Sequence, residues 1–160
     1  MFRCIEYTAF LWKAKGRHGT HSPFAYWLVD VVARQQAIAA VHLPLDIPSK
    51  KTRQFIAKLQ HALAEHQLSH FDQTAEKPSK PCICILTLDQ LPHVETALQH
   101  QLWHPETIFV VLNPRAKNKR HHWQKLCQME VFHFTADCYF FGLLSPRPGQ
   151  VKEHFYLKLS

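Results

Sequence analysis

Glycine is scarce in this chain of 160 residues, which contains only four: Gly16, Gly19, Gly142 and Gly149. None of them lies between a predicted strand and a predicted helix. A glycine-rich loop at that junction is what lets the backbone approach a phosphate or a dinucleotide cofactor. We therefore expect neither a nucleotide-dependent enzyme of a familiar type nor a bound cofactor.

Long apolar runs and paired cysteines are also missing. No stretch approaches the roughly 20 apolar residues of a membrane span, so we expect no membrane partner. The apolar N-terminal stretch is interrupted by Glu6 and has no small-residue cleavage site, which favours an amphipathic helix over a signal peptide. The five cysteines form no CxxC pair. Their odd number and irregular spacing predict reduced thiols in a cytoplasmic protein.

Acidic residues are outnumbered by basic ones. The chain has 12 Asp and Glu against 19 Lys and Arg, a formal charge of +7, and 13 histidines besides. This balance favours nucleic acid or another polyanion as a partner. A basic surface without a ligand is the alternative, because cations spread along a chain do not by themselves form a patch.

The length suits a single domain over residues 1–160, with a helical N-terminal part at 1–66 and a partial sheet at 81–160. Hydrophobic spacing predicts a first helix over residues 2–14, with Phe2, Ile5, Ala9 and Trp12 on one face. Ser22-Pro23 is a typical N-cap followed by proline, and predicts a second helix that runs to about Ala40. A third predicted helix starts after Ser49 and ends near His66.

The second half of the chain is strand-rich. Residues 82–88 and 107–112 are apolar runs typical of strands buried on both faces. Helices are predicted at 94–101 and 117–128, and shorter strands at 131–135, 139–144 and 154–159, whereas polar residues 69–80 are predicted to form a loop. This order predicts an α/β fold: a reduced Rossmann-like, mostly parallel sheet with an antiparallel edge, preceded by two or three N-terminal helices.

Two parts of the chain carry a family resemblance. The first is the segment KAKGRHGTHSPFAY at residues 13–26, and the second is DCYFFGLL at 137–144 followed by QVKEHFYLKL at 150–159. Together they resemble the opening and the close of a group of class I S-adenosylmethionine-dependent methyltransferases found in Bacteroidetes bacteria. The resemblance implies common ancestry and a partial Rossmann-like fold.

The chain departs from this family where the family binds its cofactor. The family's first strand leads into a turn of the form E-x-G-x-x-x-G, which this chain lacks, and we expect the first strands of the sheet to be deleted. Leu88-Asp89 and Leu112-Asn113 replace the family's later acidic motifs. We therefore assign no catalytic, cofactor-binding or metal-binding residue. We expect a shortened, degenerate relative that is non-catalytic and acts through protein or polyanion contacts.

Two other functions stay open at this point. One is an active methyltransferase with an unusual or partner-completed site, and the other is a nucleic-acid-binding module. The densest basic segment supports the second of these, because it follows a predicted parallel strand, where open α/β sheets place their ligands. Its candidate residues are Arg115, Lys117, Lys119, Arg120 and Lys125, with Trp123 as a base-stacking surface. A further basic cluster, Lys50, Lys51 and Arg53, opens the third helix, where an anion is favoured.

Three weaker hypotheses complete the sequence reading. His18 and His21 are weak candidates for zinc ligands, although hydrogen bonding at the junction of two helices explains them better. Cys82 and Cys84 share a strand face, which favours core packing over metal binding. The predicted strand Cys82–Leu88 would be an open sheet edge if its neighbour is deleted. Such an edge predicts a homodimer or a protein partner, unless the N-terminal helices cover it.

Overall fold

The architecture of the chain is α/β, as a computed structural model shows. The structure describes residues 2–14, 21–35, 47, 49–64, 66–70, 80–90, 93–96 and 103–159. Its centre is one six-stranded mixed sheet with the strand order β1-β2-β3-β5-β4-β6. The strands are β1 (Gln67–His70), β2 (Cys82–Thr87), β3 (Ile108–Leu112), β4 (Phe134–Asp137), β5 (Phe141–Ser145) and β6 (Glu153–Tyr156).

The sheet is mostly parallel, but its antiparallel part is not at an edge. β1, β2 and β3 pair in parallel, and so do β4 and β6. β5 lies between β3 and β4 and is antiparallel to both. The predicted antiparallel edge is therefore wrong. A short turn at residues 138–140 connects β4 to β5, so that β5 pairs with β4. The apolar side chains of β5 favour its position inside the sheet.

The strand Cys82–Thr87 is not a free edge either. β1 pairs with it in parallel from Gln67↔Cys82 to His70↔Ile85, and β3 flanks its other side. The predicted open edge is therefore wrong. The homodimer or protein partner predicted from this edge has no structural basis there. The prediction is wrong because Gln67-Leu68-Ser69-His70 is short and polar, a pattern that predicts a loop from Ser69. Pairing with an apolar neighbour makes it a strand.

Helices pack around the sheet in the described part of the chain. They are α1 (Phe2–Lys13), α2 (Pro23–Trp27), α3 (Lys50–Ala62) and α4 (Arg120–Gln128). The predicted caps are present, because Ser22 Oγ accepts from Ala25 N at 3.4 Å and Ser49 Oγ accepts from Thr52 N at 3.3 Å. α2 continues as a π-helical turn over Leu28–Val32. Residues 93–96 are also helical, and a 3₁₀ turn spans Leu88–Gln90.

Both faces of the sheet are buried, which explains the continuous apolar runs of β2 and β3. Side chains alternate along each strand. Ile83 and Ile85 therefore join the core beneath α2 and α3, while Cys82, Cys84 and Leu86 join the core beneath α4. The predicted packing role of Cys82 and Cys84 is confirmed, since both are buried. No helix of the described residues is long and apolar enough to cross a membrane.

The apolar face predicted for α1 is not the face that packs. Ile5 is 63% exposed and Trp12 is 96% exposed, whereas Phe10 is buried. α1 instead turns Tyr7 and Phe10 inward, where their rings meet Tyr139 at 4.7 Å and 5.4 Å between centroids. The helix therefore has apolar side chains on its inner and its outer side.

Candidate functional site

The carboxyl ends of five parallel strands meet at one edge of the sheet, where open α/β sheets bind their ligands. An open cleft of about 860 Å³ lies there, and we call it the strand-end cleft. It lies between the inner side of α1, the first turn of α3 and the loops after β3 and β4. The side chains that line this cleft include Tyr7, Lys51, Arg115, Lys117, Tyr139 and Phe140.

The local sequence explains how these side chains come together. Ser49 caps α3, which places Lys51 in the first helical turn at the rim of the cleft. β3 ends at Leu112, and Asn113 then adopts φ 49°, a left-handed conformation that asparagine tolerates better than most residues. Tyr139 has φ 68° after β4. A bulky residue in this conformation stores strain, which is typical of functional edges and tight turns.

A second opening lies on the other side of α1. This α1–α4 cavity, of about 540 Å³, is bounded by Phe10, Gln124, Asp137, His154 and Tyr156. Thr135 Oγ1 lies 2.7 Å from His154 Nδ1. Desolvation lowers the pKa of His154, although the Asp137 carboxylate acts in the opposite direction.

Arg115 and Asp137 form a nearly buried ion pair between the two openings. Arg115 Nη2 donates to Asp137 Oδ2 at 2.7 Å, and the side chains are 17% and 6% exposed. Tyr139 N donates to Asp137 Oδ1 at 2.8 Å. The guanidinium lies 5.2 Å from the Phe10 ring centroid and 5.1 Å from that of Tyr139. Both carboxylate oxygens of Asp137 are thus occupied, and Arg115 is fixed between two rings.

The predicted basic segment does not form one free patch, because three of its cations face carboxylates. Lys119 Nζ lies 2.5 Å from Asp89 Oδ2 and Lys125 Nζ lies 2.6 Å from Glu95 Oε1. Arg120 Nη1 lies 3.8 Å from Glu6 Oε1. Lys117 differs from these three: it is exposed and makes no ion pair with any described residue.

The predicted role of Trp123 as a stacking surface is wrong. Its side chain is buried in the core beneath α4. The indole lies directly against Gly142 of β5, where a Cβ atom would overlap the ring. Trp123 turns inward because Gly142 leaves space for a large ring, and this pairing is not visible in the local sequence of either residue.

The three cations at the start of α3 also differ in their surroundings. Arg53 Nη1 donates to the Ile47 carbonyl at 2.6 Å, so its guanidinium holds the chain before the helix. Lys50 is exposed. Lys51 Nζ lies 5.2 Å from the Phe140 ring centroid and lines the strand-end cleft. Of the three predicted residues, the structure therefore places Lys51 at the site.

The thiols and histidines offer no prepared metal or nucleophile site in the described part of the chain. Burial raises the pKa of Cys84 to about 12 and that of Cys127 to about 12, and it also raises the pKa of Cys138 well above its usual range. Thiols of this kind are poor nucleophiles and poor ligands. No three His, Cys, Asp or Glu side chains among the described residues are placed to hold a metal ion. The candidate His18 lies outside the described residues, and His21 is exposed.

The aromatic residues of the site were missed by the sequence analysis. The sequence pattern predicts that Tyr139 and Phe140 begin a strand, but they form the loop between β4 and β5. Tyr7 was placed within α1 without a role. The available signal was weak: an aromatic pair directly after Asp137-Cys138, with no polar turn residue. Only the tertiary fold brings these rings beside Lys51 and Lys117.

The chain has no glycine between Gly19 and Gly142, so none follows β1 at its carboxyl end. No family model, no curated protein and no solved structure matches this chain.

Proposed function

We propose that this chain is a methyltransferase-like protein without catalysis, and that it binds a polyanion at the strand-end cleft. The single observation that carries the proposal is the convergence of Lys51 and Lys117, which form no ion pair with a described residue, on one cleft beside Arg115. Lys51 enters from α3, whereas Lys117 and Arg115, which is paired with Asp137, enter from the loop after β3. A cleft that gathers cations raises the local concentration of an anionic partner.

The remaining basic residues contribute less to such binding. Lys119, Arg120 and Lys125 each lie beside a carboxylate, so a passing anion meets three nearly neutral pairs. Exposed ion pairs of this kind stabilise a fold by only about 0–1 kcal/mol each. Their carboxylates do, however, offset the positive electrostatic potential of the segment.

The non-catalytic part of the proposal rests on the chemistry of the same edge. A methyl transfer needs a bound cofactor, and the chain has no glycine to let the backbone approach one after β1. Asp137 already accepts from Arg115 and from the Tyr139 amide. Partial Rossmann-like ancestry stays part of the proposal, supported by the parallel strands on both sides of β5.

Lysine footprinting tests the polyanion site within one molecule. Heparin is added at saturation, and the exposed amines are acetylated and mapped by mass spectrometry. We expect Lys51 and Lys117 to be protected, while Lys119 and Lys125 react at their unliganded rates. Equal protection of all four lysines would assign the contact to the basic surface as a whole. Protection of Lys119 and Lys125 alone would refute the cleft.

A thermal shift with S-adenosylmethionine tests the absence of catalysis. A ligand at about 100 times its dissociation constant adds about 2.7 kcal/mol of stability, which is several degrees for a domain of this size. We expect no shift of the melting temperature at about 1 mM cofactor, because binding weaker than millimolar adds less than about 0.5 kcal/mol. A shift of several degrees would restore the methyltransferase alternative.

A further inference from the structure

Helix α1 separates two openings that lie along the same edge of the sheet. Glu6 of α1 and Arg115 line both the strand-end cleft and the α1–α4 cavity. The strand-end cleft continues toward Asn113, and the cavity continues toward Tyr156. If α1 were lifted, the two openings would become one groove across the carboxyl ends of β3, β4 and β6.

Aromatic contacts are the main attachment of α1 to the described part of the protein. The Tyr7 ring lies 4.7 Å from Tyr139, edge to face, and 6.3 Å from Phe140. The Phe10 ring lies 5.4 Å from Tyr139 and 6.4 Å from Tyr156. The ion pair between Glu6 and Arg120 is long, at 3.8 Å, and exposed. Because the contacts of α1 with the described residues are mainly ring contacts, another aromatic ligand can compete for the same rings.

Lifting α1 would uncover a surface with both rings and cations. Tyr139, Phe140 and Tyr156 would lose their cover, and Lys51, Arg115 and Lys117 already lie beside them. Glu6 and Lys13 would both leave with the helix, which frees Arg120 from a carboxylate and the Tyr156 ring from the Lys13 ammonium. Rings interleaved with cations are what single-stranded nucleic acid requires, because unpaired bases stack while phosphates contact the cations.

We infer that α1 is a displaceable cover over a groove for single-stranded nucleic acid, in which Tyr7 and Phe10 occupy the stacking positions of two bases. The inference rests on the proposed function and names its ligand class. Heparin carries no bases, so it needs only the cations of the strand-end cleft. An oligonucleotide gains from the rings as well, and must displace the helix to reach them.

Amide hydrogen exchange on the full chain tests the displacement directly. The probe is an oligouridylate of about ten nucleotides, within the range of about 4–16 that one single-strand site covers. We expect the amides of Phe2–Lys13 to exchange faster in the complex, while those at the carboxyl ends of β3 and β4 exchange more slowly. Unchanged or slower exchange in α1 at saturation would overturn the inference.

Two matched substitutions on opposite sides of α1 give a second test. Phe10→Ala weakens the attachment of the helix, and we expect it to tighten oligouridylate binding about tenfold by raising the population of the open state. Ile5→Ala removes an exposed side chain from the same helix and leaves the affinity unchanged. Heparin affinity stays constant in Ile5→Ala and rises less than oligouridylate affinity in Phe10→Ala, because heparin gains only from the departure of Glu6 and not from the rings. Tyr7→Ala replaces Phe10→Ala if the latter does not fold.

The outcomes separate this inference from the function on which it rests. Heparin binding that survives while Phe10→Ala fails to tighten oligouridylate binding would refute the cover and keep the polyanion site. A second result would also refute the inference. If the double variant Lys51→Ala with Lys117→Ala loses heparin binding but the wild-type protein binds no oligonucleotide, the ligand that displaces α1 would have to be a protein segment. If heparin does not compete with the oligonucleotide for binding, the two ligands do not share one groove, and the inference is refuted.

Discussion

The segment Arg115–Lys125 and the strand-end cleft are two basic regions among the described residues. They share Arg115 and Lys117, but they differ in how their other cations are arranged. The segment is dense in sequence, but Lys119, Arg120 and Lys125 each face a carboxylate. The cleft adds Lys51 from a distant position, and no carboxylate of the described residues forms an ion pair with Lys51 or Lys117. The charge that a ligand meets is therefore set by the fold and by nearby carboxylates more than by density along the chain.

The largest expected effect is the loss of stability when Trp123 is replaced. This substitution tests whether the segment serves the core or binds a ligand at this position. Trp123→Ala removes a buried indole and should destabilise the protein by about 3–5 kcal/mol, because the core beneath α4 cannot close around the space. Urea denaturation measures this loss. Trp12→Ala is the matched control, since Trp12 is 96% exposed and its removal should change stability by less than about 0.5 kcal/mol. Equal effects of both substitutions would contradict the buried position of Trp123.

Asp137 sharpens the comparison because its partner Arg115 belongs to both regions. Asp137→Asn removes the charge that binds Arg115 and should cost about 1.5–3 kcal/mol, the usual worth of a hydrogen bond to a charged group. The freed guanidinium should then steepen the salt dependence of binding to single-stranded RNA by about 0.7 log units per log unit of salt. Parallel denaturation and salt titrations measure both effects. A less stable variant with an unchanged slope would show that Arg115 does not reach the ligand.

A smaller effect is expected at Gly142, which makes room for Trp123. Gly142→Ala places a methyl group against the indole and should cost about 1–3 kcal/mol. Combining it with Trp123→Leu should lower this cost, because the smaller side chain leaves the methyl group space. The melting temperatures of the single and double variants form a thermodynamic cycle. Strictly additive losses would mean that the two residues do not share one packing contact.

Local signals in the sequence account for much of the fold. The caps at Ser22 and Ser49 and the apolar runs of β2 and β3 all form as their patterns predict, because each depends on neighbours within a few residues. β1 was missed because four residues with one apolar side chain become a strand only through pairing with β2. The position of β5 inside the sheet also depends on long-range pairing, which a local pattern does not specify.

The candidate site was predictable only in part. The rule that ligands bind at the carboxyl ends of parallel strands pointed to the loop after β3, and Arg115 and Lys117 do lie there. Lys51 was identified by its place at a helix start. What no pattern showed is which cations meet carboxylates, since Lys119 and Asp89 are thirty positions apart. The inward turn of Tyr7 and Phe10 was hidden too, because α1 is apolar on two sides.

The salt dependence of RNA binding tests the central claim most directly. Two double variants each remove two lysines: Lys51→Ala with Lys117→Ala from the cleft, and Lys119→Ala with Lys125→Ala from the segment. Each phosphate contact contributes about 0.7 to the slope of log affinity against log salt for a single strand, so the cleft variant should lose about 1.4. The segment variant should keep the wild-type slope. Equal losses in both variants, or a loss in the segment variant alone, would contradict the assignment of polyanion binding to the strand-end cleft.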